Sequence, residues 1–169
     1  MWLRPPSPDV SKNTYLNKEM DLLLATIRSR RSPASEPDAQ LLERYIQRAS
    51  RYLPCEQREF ASEASLFTHL DRPARRTTPY LVLTDSRGKQ LSSEEFAATL
   101  GGVQDGGVQQ FVMAIGPADG WSPEALRRAN LTVAFGRITL PHELAAVVAA
   151  EQIYRALTIR AGHPYHHGH

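Results

Sequence analysis

The last seven residues, "HPYHHGH", hold four of the chain's six histidines: His163, His166, His167 and His169. Imidazole exchanges protons near neutral pH and binds transition metals, so the run reads as a working proton-transfer element, a metal-binding end, an added tag or a solvated tail. Three other stretches combine glycine with small polar residues just past an apolar run: "TDSRGK" at 84–89, "GPADGW" at 116–121 and "GRITLPH" at 136–142. None matches the dinucleotide fingerprint GxGxxG or the phosphate loop GxxxxGK[ST], and no GxSxG elbow, HExxH or paired-cysteine motif is present. The single cysteine, Cys55, reads as a small strand residue. Glu151 and Arg155, four apart, fall near the centre of an apolar stripe of Leu144, Val147, Val148, Tyr154 and Leu157. Charges there need partners, so they form an internal ion pair or mark a subunit interface or a site edge.

These residues must be held by a fold, and 169 residues suffice for one domain. Twenty basic against 18 acidic side chains leave a formal charge of +2, too little to announce a nucleic-acid binder by itself. No apolar stretch approaches a membrane span and no secretory leader is legible, which implies a cytoplasmic chain with no membrane partner. Residues 1–19, with Pro5, Pro6 and Pro8, read as a disordered extension or a mis-assigned start, leaving 20–169 as the domain.

Met20–Ile27 is an apolar run of strand length, followed by a basic loop, "RSRRSPASEP". From Asp38, Leu41, Leu42, Tyr45, Ile46, Ala49 and Tyr52 recur at helical steps. "PCEQREF" fits a short strand, and Ala61–Pro79 a weak helix followed by the Arg-rich loop "DRPARRTTP". Tyr80–Asp85 is a third strand ending at a turn, "SRGK"; Ser92 and Glu95 then form a capping box for a helix. A glycine-rich loop, "GGVQDGG", precedes the buried strand "QFVMAIG". Ser122 and Pro123 open a further helix, Leu131–Gly136 is the last strand, and a long helix runs from about His142 to Arg160, closed by Gly162 and Pro164. Strands alternating with helices imply a single α/β domain with a mostly parallel sheet flanked by helices. Ligands then collect beyond the carboxyl ends of the strands, where the three glycine-bearing loops lie.

The stretch "QFVMAIGPADGWSPEALRRANLTVAFGRITLPHELAAVVAAEQIYRALTIRAGHPYH" closely resembles the C-terminal half of the RlmH family, knotted SPOUT-class methyltransferases of large-subunit ribosomal RNA. "RGKQLSSEEFAATL" and "MDLLLATI" resemble earlier parts of that family, so the likeness covers almost everything from Met20 onward. The resemblance implies a homodimer with a C-terminal deep trefoil knot (about 109–160), a tail at 161–169, and S-adenosyl-L-methionine bound in the knot loops. It implies methyl transfer to N3 of a pseudouridine in large-subunit rRNA of the assembled ribosome. By position, the cofactor loops fall at Thr84, at Gly116, and at Phe135, Gly136, Arg137, Ile138, Thr139 and Leu140. His142, Tyr165 and His166 are the candidates for the base or polariser that the displacement needs, and the tail is expected to fold over the cofactor crevice, contributed across the dimer.

Four departures from the family pattern lie in these parts. Pro117 stands in a loop where the family has a glycine, removing an N–H donor. Thr84 replaces a leucine, Ala146 a basic residue and His167 an arginine or lysine. If the missing cations meet RNA phosphates, binding weakens, and a relative that holds rRNA or cofactor without turnover is the alternative reading.

Overall fold

The computed structural model describes residues 20–28 and 35–168; the expectations for 1–19, for most of the first basic loop and for His169 lie outside them. Five strands, β1 (Asp21–Ile27), β2 (Cys55–Phe60), β3 (Tyr80–Lys89), β4 (Gln110–Ile115) and β5 (Leu131–Val133), form one all-parallel sheet in the order β2-β1-β4-β3-β5. Helices α1 (Glu36–Ala49), α3 (Ser93–Asp105) and α5 (His142–Arg160) cover one face, α2 (Glu63–Leu70) and α4 (Pro123–Arg128) the other.

The period of two along each strand divides the core. Leu22, Leu24, Val82, Phe111, Met113 and Ile115 point to α1, α3 and α5, whereas Leu23, Ala25, Leu81, Leu83, Val112 and Ala114 meet Leu66, Leu70, Trp121 and Ala125 on the other side. α5 lies between α1 and α3, which is why Ala146, Ala149, Ala150, Ile153, Tyr154, Ala156 and Leu157 are buried around more than one of its sides. Cys55, in β2, is a mostly covered thiol whose pKa burial pushes up to about 12. No helix among the described residues is long and apolar enough to cross a membrane.

The expected elements recur with four corrections of extent. α1 starts at Glu36, inside the segment read as loop, because Ser35 accepts from Asp38 N–H as N-cap and Pro37 fits the first turn, where its missing N–H costs nothing. "SRGK" is no turn: β3 continues to Lys89 through an irregular stretch in which Val133 pairs with both Thr84 and Lys89. The glycine-rich segment is not a loop before Gly106, since α3 runs through Gly101 and Gly102 to Asp105. There the glycine has a packing task, as a Cβ on Gly101 would sit on the Arg160 guanidinium of α5. β5 stops at Val133 rather than Gly136, and the chain leaves the ladder as soon as Ala134 N–H has reached Lys89 O.

Candidate functional site

Beyond the carboxyl ends of β4 and β5, and beside the irregular middle of β3, lies a cleft of about 620 Å³. Thr84, Gly116, Phe135, Gly136, Ile138, Thr139, Leu140 and His142 all line it, so the three loops chosen from sequence converge on one place; Arg137 is exposed on the same loop and does not line it. The volume lies in the range of about 300–1,000 Å³ usual for small-molecule and cofactor sites.

The cleft is braced by a residue that the sequence reading passed over. Trp121 is 6% exposed and donates its indole N–H to Thr84 O at 2.9 Å, tying the loop after β4 to the middle of β3, where its ladder becomes irregular. Gly116 is required beneath it, since a Cβ there would approach the indole to 2.7 Å. The signal was a tryptophan inside a Gly/Pro turn directly after a buried strand. Thr84, in place of leucine, keeps its hydroxyl satisfied by donating to Ala114 O at 3.0 Å. Pro117 opens a turn closed by Gly120 N–H to Pro117 O at 2.9 Å, with Gly120 at φ 84°, a conformation glycine takes without strain. Next to it, Ser122 donates N–H and hydroxyl to the Glu63 carboxylate at 3.0 and 2.6 Å, anchoring α4 to the start of α2.

On the rim, Asp85 accepts from Arg87 N–H at 2.9 Å and from its Nε at 3.0 Å. Hydrogen bonding from this guanidinium holds the Asp85 carboxyl below the usual carboxylate range, while the Arg87 side chain stays 75% exposed. His142 begins α5 and places Nδ1 3.1 Å from Gly116 O. A carbonyl only accepts, so Nδ1 carries the proton and the neutral ring keeps its lone pair on Nε2.

The tail is ordered and lies elsewhere. Gly162, at φ 68°, ends α5 with its N–H on Ile159 O, and His163 N–H returns to Thr158 O at 2.9 Å. Pro164–Gly168 then forms a 3-10 turn. The Tyr165 ring packs tilted against that of Tyr154, centroids 4.7 Å apart, under the Arg155 guanidinium, and its hydroxyl donates to Glu151 Oε1 at 3.2 Å. Arg155 and Glu151 form a 2.7 Å ion pair, each less than a fifth exposed, so the charges on the apolar stripe are partnered within the chain. Burial, hydrogen bonding with Tyr45 and the Glu151 charge push the Tyr165 phenol far above its usual range, so it donates a hydrogen bond rather than taking a proton. His166 sets Nδ1 3.0 Å from His163 O and stacks on His167 at 3.9 Å.

Thus His142 stands in the cleft, while the tail folds back along α5: the Tyr165 hydroxyl reaches Glu151, nine residues and about 13 Å along the helix axis from His142, and neither Tyr165 nor His166 lines the cleft. Within one chain they do not meet. Ala146, where a cation was expected, is 3% exposed in the core and contributes packing. Among the described residues no three His, Cys, Asp or Glu side chains gather as a metal site.

Comparison with known proteins gives three findings. A family model described as "Predicted SPOUT methyltransferase" matches residues 20–166. Two relatives, each a "Ribosomal RNA large subunit methyltransferase H", are similar in sequence: that of Koribacter versatilis is 54% identical over 125 residues, covering 74% of this chain and 85% of the relative. That of Methylocella silvestris is 42% identical over 144 residues, covering 77% and 90%. Among solved structures, a probable methylase family protein from Haemophilus influenzae superposes with a TM-score of 0.55 at 9% identity, covering 86% of this chain and 70% of that one. The SpoU methyltransferase AviRb from Streptomyces viridochromogenes, in complex with AdoMet, gives 0.51 at 16% identity; the match covers 94% of this chain and 64% of that one. At such identities the structural likeness speaks for the fold alone.

Proposed function

Because the chain belongs to the SPOUT methyltransferase family, and within it groups with the large-subunit rRNA methyltransferases H, we propose that it methylates large-subunit ribosomal RNA with S-adenosyl-L-methionine as donor. The acceptor is N3 of a pseudouridine in the assembled ribosome, and the working unit is a cytoplasmic homodimer with a trefoil knot around its cofactor loops.

The observation that carries this reading is the convergence of three segments and His142 on one cleft, with Tyr165 and His166 held outside it against the body of α5 and the turn that follows. The cleft suits the donor chemically. Ile115, Val133 and Leu140 offer apolar wall for a flat heterocycle, and Asp85 and Glu143 offer carboxylates to a cationic ligand. When bound, the cofactor supplies an electrophilic methyl group on a sulfonium. His142 Nε2 is the group placed to take the imino proton of the attacking nitrogen, and the Gly116 carbonyl fixes its tautomer. Tyr165, kept as a phenol, and His166 reach a cleft only if a second copy presents its tail there. Ile138 and Leu144, the large apolar side chains exposed among the described residues, at 72% and 41%, support a partner surface in this region.

Ribosomes from a strain deleted for this chain, incubated with the purified protein and methyl-labelled S-adenosylmethionine, should take up label on one pseudouridine of large-subunit rRNA. Cofactor binding without label on rRNA would turn the reading toward a non-catalytic relative.

A further inference from the structure

The Arg-rich connection between α2 and β3 takes no part in the cleft. It lies at the opposite edge of the sheet, where Pro79 leads into β3 and Gln110 opens β4, so the length of β4, about 17 Å, separates the two. Here His69, Asp71, Arg72, Arg75, Arg76, Thr77 and Thr78 line a polar hollow of about 460 Å³. Arg58 of β2 stands behind it with Nη1 3.4 Å from His69 Nδ1.

The charges do not cancel. Asp71 is taken by Arg128 of α4, Asp21 by Arg75 at 2.9 Å and Glu56 by Arg58 at 3.3 Å. Arg72 and Arg76 are left with no acidic partner among the described residues, both exposed at the mouth of the hollow. Desolvation above all, and then the guanidinium groups of Arg58, Arg72 and Arg75, hold the His69 ring below its usual pKa; the guanidinium share reports a local positive potential that an anion would relieve. Thr77 and Thr78 add hydroxyl groups, though Thr77 already accepts from Gln109 N–H. Paired and unpaired arginines around a hydroxyl-bearing hollow fit a phosphate better than a carboxylate, since the planar guanidinium fork matches its oxygens and tolerates desolvation.

We propose that this connection grips the sugar-phosphate backbone of the substrate RNA at a point remote from the methyl-transfer cleft, through Arg72 and Arg76 with Arg75, Arg58 and His69 behind them. The proposal rests on RNA being the substrate. Such contacts position an RNA chain and carry no sequence information, so they act on affinity and salt dependence and leave the chemical step alone.

The test compares the wild type with the double variants R72Q/R76Q and R72K/R76K, all three checked for equal melting. Binding of a labelled large-subunit rRNA fragment is followed by anisotropy from 50 to 200 mM KCl, and methyl transfer to unmodified ribosomes is followed in parallel. The glutamine variant should bind about tenfold more weakly, with the slope of log K against log salt reduced by about 2; its KM should rise with kcat unchanged, and the lysine variant should keep the wild-type slope. Equal affinity and slope in the glutamine variant, with methyl transfer intact, overturns the proposal. Co-sedimentation of the same three proteins with phosphatidylglycerol vesicles is the parallel control, and a loss confined to the vesicles also overturns the proposal by marking a membrane-facing patch. Patch-dependent RNA binding without methyl transfer upholds the surface and overturns the functional reading instead.

Discussion

Gly88 to alanine is the perturbation that most directly links the sheet to the cleft. Gly88 lies in the irregular part of β3, against the backbone of β5, and a Cβ there would stand 2.6 Å from Val133 C, 2.7 Å from Val133 N and 2.8 Å from Thr132 C. Ordinary contact begins near 3.4 Å, so β5 must retreat by about 0.8 Å. Both sides are backbone, and no rotamer change relieves the overlap. Overpacking of this kind costs about 1–3 kcal/mol. The retreat also strains the Ala134 N–H to Lys89 O bond, 2.9 Å long, whose loss adds about 1 kcal/mol. A total of about 2–4 kcal/mol lowers the melting temperature by roughly 5–15 °C in a chain of this size. Because Phe135–Leu140 leaves β5 directly into the cleft, calorimetric affinity for S-adenosylmethionine should fall at least about tenfold. Gly102→Ala is the control: nothing lies within 4 Å of its added Cβ, it sits inside α3, and it should be neutral or stabilise by about 0.5–1 kcal/mol. A Gly88→Ala protein that melts with the wild type and binds cofactor equally would refute the reasoning, because the clash would then have been absorbed at no cost.

Three further outcomes follow from the site. Trp121→Phe leaves Thr84 O without its donor and should weaken cofactor binding severalfold in calorimetry while lowering stability by about 1–2 kcal/mol; unchanged affinity would detach the brace from the cleft. His142→Ala and Tyr165→Phe should each reduce methyl transfer at least about tenfold, yet a mixture refolded together should recover part of it, since mixed dimers hold one complete site; no recovery would place both groups in the same chain's site. The Asp85 pKa is depressed in the folded state, so its stabilising contribution is full above the unfolded value near 3.9 and is lost as pH falls through the lower folded value. Urea unfolding should therefore show Arg87→Gln less stable than the wild type at pH 7, with the gap closing in acid; a gap that persists below the folded value would assign it to packing.

Legibility from sequence followed the physical signal available at each position. The cleft was legible because alternating elements fix a parallel sheet, and such a sheet gathers its ligands at strand ends, whatever side chains line them. α5 and the capping box at Ser92 carry their own local signatures, whereas the box at Ser62, closed by Ser65 instead of Glu or Gln, does not. The Gly101–Asp105 segment misled because glycine was taken as a breaker, whereas its missing side chain makes room for Arg160, a tertiary fact. The continuation of β3 and the early end of β5 depend on how Val133 is shared between Thr84 and Lys89, which no local pattern encodes. The position of Tyr165 was hidden for a related reason: the motif "HPYH" marks the residues, but where they lie is set by the turn at Gly162 and by the tertiary contacts of Tyr165 with Glu151 and Tyr154.

The length of α5 fixes where the tail turns back relative to the cleft. The helix starts with the imidazole in the cleft and finishes with the tail that Gly162 turns back onto Glu151 and Arg155. Adding or removing one residue anywhere between would swing the tail by about 100° and shift it by about 1.5 Å, while also rotating its buried alanines away from their neighbours. Changes of length are therefore to be sought in the connection around Arg72–Arg76, outside the helix, whereas α5 can vary only by substitution.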